Sequence, residues 1–249
     1  MNYSASFPPQ ELGQLLGEFN WHKPKAKQLF VTWGLMIIPS LISCLFLVGI
    51  PATIFSIYFA HRSWQRWRSA QSVVLLYQHG LVDRRKSDPI ILPYADVDTL
   101  LIAVTRLAKI TSYTHTIQTR DNRKIQFDEH LAQIKELGYI LQEQVVQHQL
   151  PNAIDTYHRG LLVFFKPLAV TDSGLVMGMQ HLSWQEFDGA AVIQTRTRTT
   201  IHTFVEIKQK GQKKPWALLD QKTFPNLPLF FVLLDYIQGS AERDDIQVS

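Results

Sequence analysis

Residues Leu29 to Ala60 read LFVTWGLMIIPSLISCLFLVGIPATIFSIYFA, 32 consecutive positions without an Asp, Glu, Lys, Arg or His. An uncharged run of about 18 residues or more reads as membrane-spanning. As one straight helix the stretch would be about 48 Å long, against a hydrocarbon core of about 30 Å. Gly49-Ile50-Pro51 offers a break, because Pro51 cannot donate to the preceding turn and suits the first position of a new helix. The stretch therefore predicts a transmembrane hairpin, with helices over about 28–48 and 51–68, rather than a single tilted span.

The borders of the run point the same way. Trp21, Lys23, Lys25 and Lys27 precede it, and Arg62, Trp64, Arg66, Trp67 and Arg68 follow it. Aromatic rings beside cations suit a membrane–water interface, with Arg62 snorkelling towards the headgroups. The two borders are equally basic, so the positive-inside rule gives a single span no orientation, whereas a hairpin places both on one side. The expected localisation is an integral membrane protein whose bulk and both termini are cytoplasmic.

Outside this run the chain is ordinary. It has 249 residues, 46% hydrophobic, with a mean hydropathy of -0.05, so the apolar excess is concentrated in one place, unlike a multi-spanning transporter. The net charge of +4 and pI of about 9.1 come largely from the clusters beside the run rather than from a nucleic-acid-binding face, and nucleic acid is disfavoured as a partner. Cys44 is the only cysteine and lies inside the run, which excludes a disulfide framework or a cysteine zinc site. The start has no secretory signal pattern, and neither end carries a lipidation motif.

Read in order, Glu11 to Phe19 places Leu12, Leu15, Leu16 and Phe19 at helical spacing and predicts a short amphipathic helix. From Ala70 the pattern alternates. Strands are expected over Ser72–Tyr77, Leu81–Val82, Ile90–Leu92, Leu100–Val104, Tyr113–Thr119 and Lys124–Phe127, and Asp121-Asn122 marks a hairpin turn. Ile134, Leu137, Leu141 and Val145 then form a helical stripe up to Leu150, where Pro151 ends the helix or starts a short second one. A similar order follows from Leu168, closing with a helix from Leu227 that Gly239 terminates.

The two halves share a frame. Gly80-Leu81-Val82 matches Gly174-Leu175-Val176, and Leu92-Pro93-Tyr94-Ala95-Asp96-Val97 matches Leu182-Ser183-Trp184-Gln185-Glu186-Phe187. A spacing of this size indicates a duplicated domain, not a solenoid. The expected organisation is a membrane segment over 1–69, one domain over 70–160, a second over 161–240 and a disordered tail over 241–249. With Tyr77, Gly80, Leu81, Leu92, Tyr94, Asp96 and Val97, and with the upstream apolar run, the chain resembles an uncharacterised bacterial membrane-anchored family carrying tandem pleckstrin-homology-like (PH-like) domains. That resemblance implies an α+β architecture, antiparallel sheets each closed by a C-terminal helix, and supplies no catalytic residue.

Spacing also decides among the chemistry-bearing residues. Nine histidines include no helical i, i+3 or i, i+4 pair and no HExxH frame, so no metal site is expected; His115 and His202 read as strand surface positions. Asp96 and Glu186 are equivalent in the repeat, which favours a shared turn role over a catalytic pair, and Tyr94 and Trp184 read as packing aromatics. No phosphate loop, GxSxG or Cys–His pairing occurs, so neither enzyme activity nor a cofactor is expected. Two basic groups are candidates for anionic-lipid contact: Arg84, Arg85 and Lys86, and Lys208, Lys210, Lys213 and Lys214. Solvated turns are the plainer reading of both. The function expected is a non-enzymatic binding or scaffolding module at the cytoplasmic membrane face. Its partners are the lipid bilayer and another membrane or cytosolic protein. The alternatives are a lipid-headgroup sensor or a subunit of a membrane enzyme complex.

Overall fold

The structure, a computed structural model, describes residues 9–43, 49–68, 73–86, 88–107, 110–196 and 200–247. A 3-10 turn at Pro9–Leu12 leads into strand β1 (Leu15–Phe19). The helix expected over Glu11–Phe19 does not form, because a segment this short is marginal as a helix. It pairs antiparallel with β2 (Val74–Tyr77) instead and buries Phe19 in the core. Two helices, α1 (Lys23–Ser43) and α2 (Gly49–Arg68), are inserted between these paired strands.

Strands β3 (Gly80–Asp83) and β4 (Ile90–Pro93) complete an antiparallel sheet in the order β1-β2-β3-β4. Then β5 (Val97–Leu107), β6 (Ile110–Thr119) and β7 (Lys124–Phe127) form a second sheet, and helix α3 (Ile134–His158) closes the first unit. The second unit follows the same plan. Strands β8 (Val163–Phe165), β9 (Leu168–Val170), β10 (Gly174–Met177) and β11 (Gln180–Ser183) make one sheet. Strands β12 (Phe187–Arg196), β13 (Thr200–Gln209) and β14 (Ala217–Asp220) make the next, before helix α4 (Leu227–Gln247). The repeat extends to single hydrogen bonds. Tyr94 N donates to His79 O at 3.0 Å and Trp184 N to Ser173 O at 3.2 Å. The backbone carbonyls of Asp96 and Glu186 accept from Arg120 N and Lys210 N.

The units are joined in three ways. Thr200 and Ile201 of β13 pair with Leu107 and Arg106 of β5, merging the second sheets into one of six strands. Helix α3, about 37 Å long at 1.5 Å per residue, runs through Pro151 instead of stopping there. Its Leu137, Leu141 and Val145 belong to the first core, while Ala153, Leu150 and Ile154 pack into the second. Burial on both sides of the proline offsets the one hydrogen bond it removes. Asn226 pins the start of α4 to β5: its N and Nδ2 donate to Leu100 O and Asp98 O, and its Oδ1 accepts from Leu100 N. Helix α4 also continues through Gly239 to Gln247, where the sequence predicts a stop and an unstructured tail.

The membrane expectation is corrected. Among the described residues no helix is long and apolar enough to cross a membrane. The lysines occupy the first turns of α1, leaving 16 uncharged residues from Gln28 to Ser43, about 24 Å. In α2 the uncharged part is the 12 residues from Gly49 to Ala60, about 18 Å. Neither described stretch reaches the roughly 30 Å of a hydrocarbon core. The transmembrane hairpin, and with it the integral membrane localisation with cytoplasmic termini, is therefore not supported. Cys44 and the rest of 44–48 lie outside the described residues, as do Met1 to Pro8, Ser72 and the last two positions. The two helices pack antiparallel, Phe30 near Trp67 and Trp33 against Phe59 at 5.1 Å between centroids.

His115 is a second correction. Instead of facing solvent from β6 it is 2% exposed, and its ring lies where a Cβ on Gly138 of α3 would fall. Burial lowers its pKa from 6.5 to about 4. Between those values the unfolded chain binds a proton that the folded chain does not, so stability rises with pH. The protein is expected to lose up to about 3 kcal/mol as pH falls from 7 towards 4. Urea melts across that range check this, with His115→Leu removing this part of the dependence.

Candidate functional site

The sequence brings one basic group, Arg84-Arg85-Lys86, into the loop between β3 and β4, and the fold sets this loop beside β7 and the base of α2. The result is an open cleft of about 560 Å³, within the usual range of ligand sites. Arg62, Arg84, Arg85, Lys86 and Lys124 supply its positive charge, and Asp83 and Asp128 its negative charge. Trp21 and His130 also line it.

The three loop cations have different jobs. Arg85 is structural: Nε and Nη2 donate to the two carboxylate oxygens of Asp83 at 2.9 and 2.8 Å. Its Nη1 donates to Gln126 O, and the guanidinium stacks 4.5 Å above the Phe127 ring. Asp83 is buried and also accepts from the Arg85 backbone N–H, so a planar fork is needed here where lysine would not serve. Arg84 and Lys86 are exposed, and with Arg62 and Lys124 they make no ion pair among the described residues. With Asp83 occupied by Arg85, four cations face one remaining carboxylate, Asp128, which accepts from the His130 backbone N–H. The cleft is therefore electropositive and suited to an anion.

The other expected contact residues do not join it. Lys208 sits 3.5 Å from Glu206, and Lys210, Lys213 and Lys214 are exposed around the β13–β14 turn, away from the residues that line this cleft. Of the border residues, Lys25 pairs with Glu129 at 3.1 Å, which lowers the Glu129 pKa, and Lys27 lies over the Trp67 ring. Lys23 is exposed, and Trp64 lies near His61. Of Arg66 and Arg68 only the helical backbone is described. The contribution of Lys124 is not visible from the sequence as part of a site. Its hairpin is legible from Asp121-Asn122, but its placement beside the β3–β4 loop depends on sheet packing.

The family model of a family of unknown function, DUF6585, matches residues 8–243, spanning the helical pair and both units. The chain belongs to this family. No curated protein and no solved structure matches it.

This DUF6585 chain has a second cleft, about 440 Å³, between its units, bounded by Tyr94, Asp96, Arg120, His148, Asn152 and Phe164. His148, which lines this cleft, brings its Nε2 to 3.4 Å from Nδ1 of His79. The Tyr94 hydroxyl is buried without a partner, and burial raises its pKa well above the ordinary tyrosine value. Its counterpart Trp184 is satisfied, the indole N–H donating to Thr171 O and Asp172 O. Among the described residues no three His, Cys, Asp or Glu side chains are gathered as a metal would require.

Proposed function

We propose that this protein is a non-enzymatic binding module of two PH-like units whose β3–β4 cleft holds an anionic group of the phosphate type. What carries the reading is the surplus of cations there: Arg62, Arg84, Lys86 and Lys124 converge without ion-pair partners among the described residues, beside an arginine already neutralised by Asp83. Support for the PH-like reading comes from the seven strands and closing helix of each unit. A phosphoester is available free in solution or on a lipid headgroup, and both present the same oxygens to these cations.

Titration of the full chain with inorganic pyrophosphate, beside sedimentation with phosphatidylcholine vesicles containing or lacking phosphatidylglycerol, separates the two sources. The triple variant Arg84→Ala, Lys86→Ala, Lys124→Ala is expected to bind at least about 100-fold more weakly, at about 1 kcal/mol per cation. Binding should also weaken as salt rises, since the cleft is open to solvent. Equal binding by wild type and variant, to both probes, would sink the proposal.

A further inference from the structure

The pair α1–α2 carries its polarity reversed. The small and polar side chains of the pair are the buried ones: Ala26 and Ser40 on α1, Thr53, Ser56, Ala60 and Ser63 on α2. Ser40 Oγ turns back to donate to Met36 O at 2.8 Å. Trp33, Phe55 and Phe59 pack between the helices, but most of the large aliphatic side chains stay exposed. Val31, Leu35, Ile38 and Ile42 of α1, and Ile50, Ile54 and Ile57 of α2, are each 45–64% exposed. A surface helix normally turns that stripe inwards, and monomers rarely expose contiguous apolar patches above a few hundred Å². Together these seven side chains expose on the order of 700 Å².

We infer that this face is the interface with a second copy of the chain, two α1–α2 pairs packing as a four-helix bundle. The spacing selects a helical occupant: positions 31, 35, 38 and 42, and 50, 54 and 57, follow the alternating four-three step of a bundle seam. The area suits a standard interface, about 800 Å² per partner. The stripes carry no charge, so the same patch meets itself across a two-fold axis without like-charge repulsion. A base-to-tip arrangement would hold the two basic ends about 30 Å apart, beyond a Debye length of about 10 Å. The inference stands independently of the anionic cleft.

Sedimentation velocity of the full chain over a dilution series tests it. Wild type is expected at twice the 28.7 kDa chain mass. The variant Leu35→Ser, Ile38→Ser, Ile54→Ser, Ile57→Ser is expected at the single-chain mass, with the circular-dichroism spectrum of both units retained. Phe164→Ser, at an exposed apolar position of the second unit, should keep the doubled mass. A single-chain mass for wild type overturns the inference, as does a doubled mass that survives the quadruple substitution. So does monomeric wild type floating with phosphatidylcholine vesicles, a property the quadruple variant then loses, because lipid would be the occupant.

Discussion

Gly174→Ala is expected to destabilise the protein by about 4 kcal/mol, the sum of backbone strain and overpacking. Gly174 opens β10 at φ +154°, a conformation that L side chains rarely adopt. A Cβ there would fall on the carbonyl oxygen of Leu182 in the neighbouring strand β11, which is backbone and cannot swing away. Gly80, its counterpart in β3, meets the equivalent oxygen, Leu92 O, at 2.6 Å but without the unusual φ. Gly80→Ala should therefore cost less. Urea unfolding of both variants measures the difference. A loss below about 1 kcal/mol for Gly174→Ala would mean that β10 and β11 separate readily.

Asp83→Ala is expected to produce two effects of opposite sign. Stability should fall by about 3 kcal/mol, because removing one partner of a buried pair leaves the other uncompensated. The side chain of Asp83 is 3% exposed and that of Arg85 17%, so water replaces the lost carboxylate only in part. Anion binding at the β3–β4 cleft should strengthen, since Arg85 would join the four cations that line it. Denaturant melts and pyrophosphate titration of one preparation read both effects. A variant that is less stable and also binds more weakly would show that Arg85 holds the loop in its binding shape instead of screening it.

The sheets and the duplication were legible from local pattern. Gly80 and Gly174, with Tyr94 and Trp184, mark equivalent turns in the sequence and make equivalent backbone hydrogen bonds in the structure. What could not be read were choices made by distant partners. Leu12 to Phe19 has helical spacing, yet its pairing strand begins more than fifty residues later at Val74. His115 alternates like a surface position, but α3 covers it at Gly138. Pro151 reads as a stop because propensity is local, while the two cores that hold the helix through it are not. Half of the candidate cleft was visible as Arg84-Arg85-Lys86. Arg62 read as a border residue and Lys124 as a turn flank, and neither spacing hints that they meet.

Helix α3 has a consequence for how the chain acquires its structure. Each unit lacks something if separated: cutting near Gly160 would leave Leu150, Ala153 and Ile154 without the core they cover, and would deprive that core of one wall. The β5–β13 pairing joins Leu107 to Thr200, a contact that closes only after most of the chain has been synthesised. The duplicated halves therefore do not fold as beads on a string. Their shared helix and shared sheet tie the two halves together, and the β5–β13 contact waits for the C-terminal half.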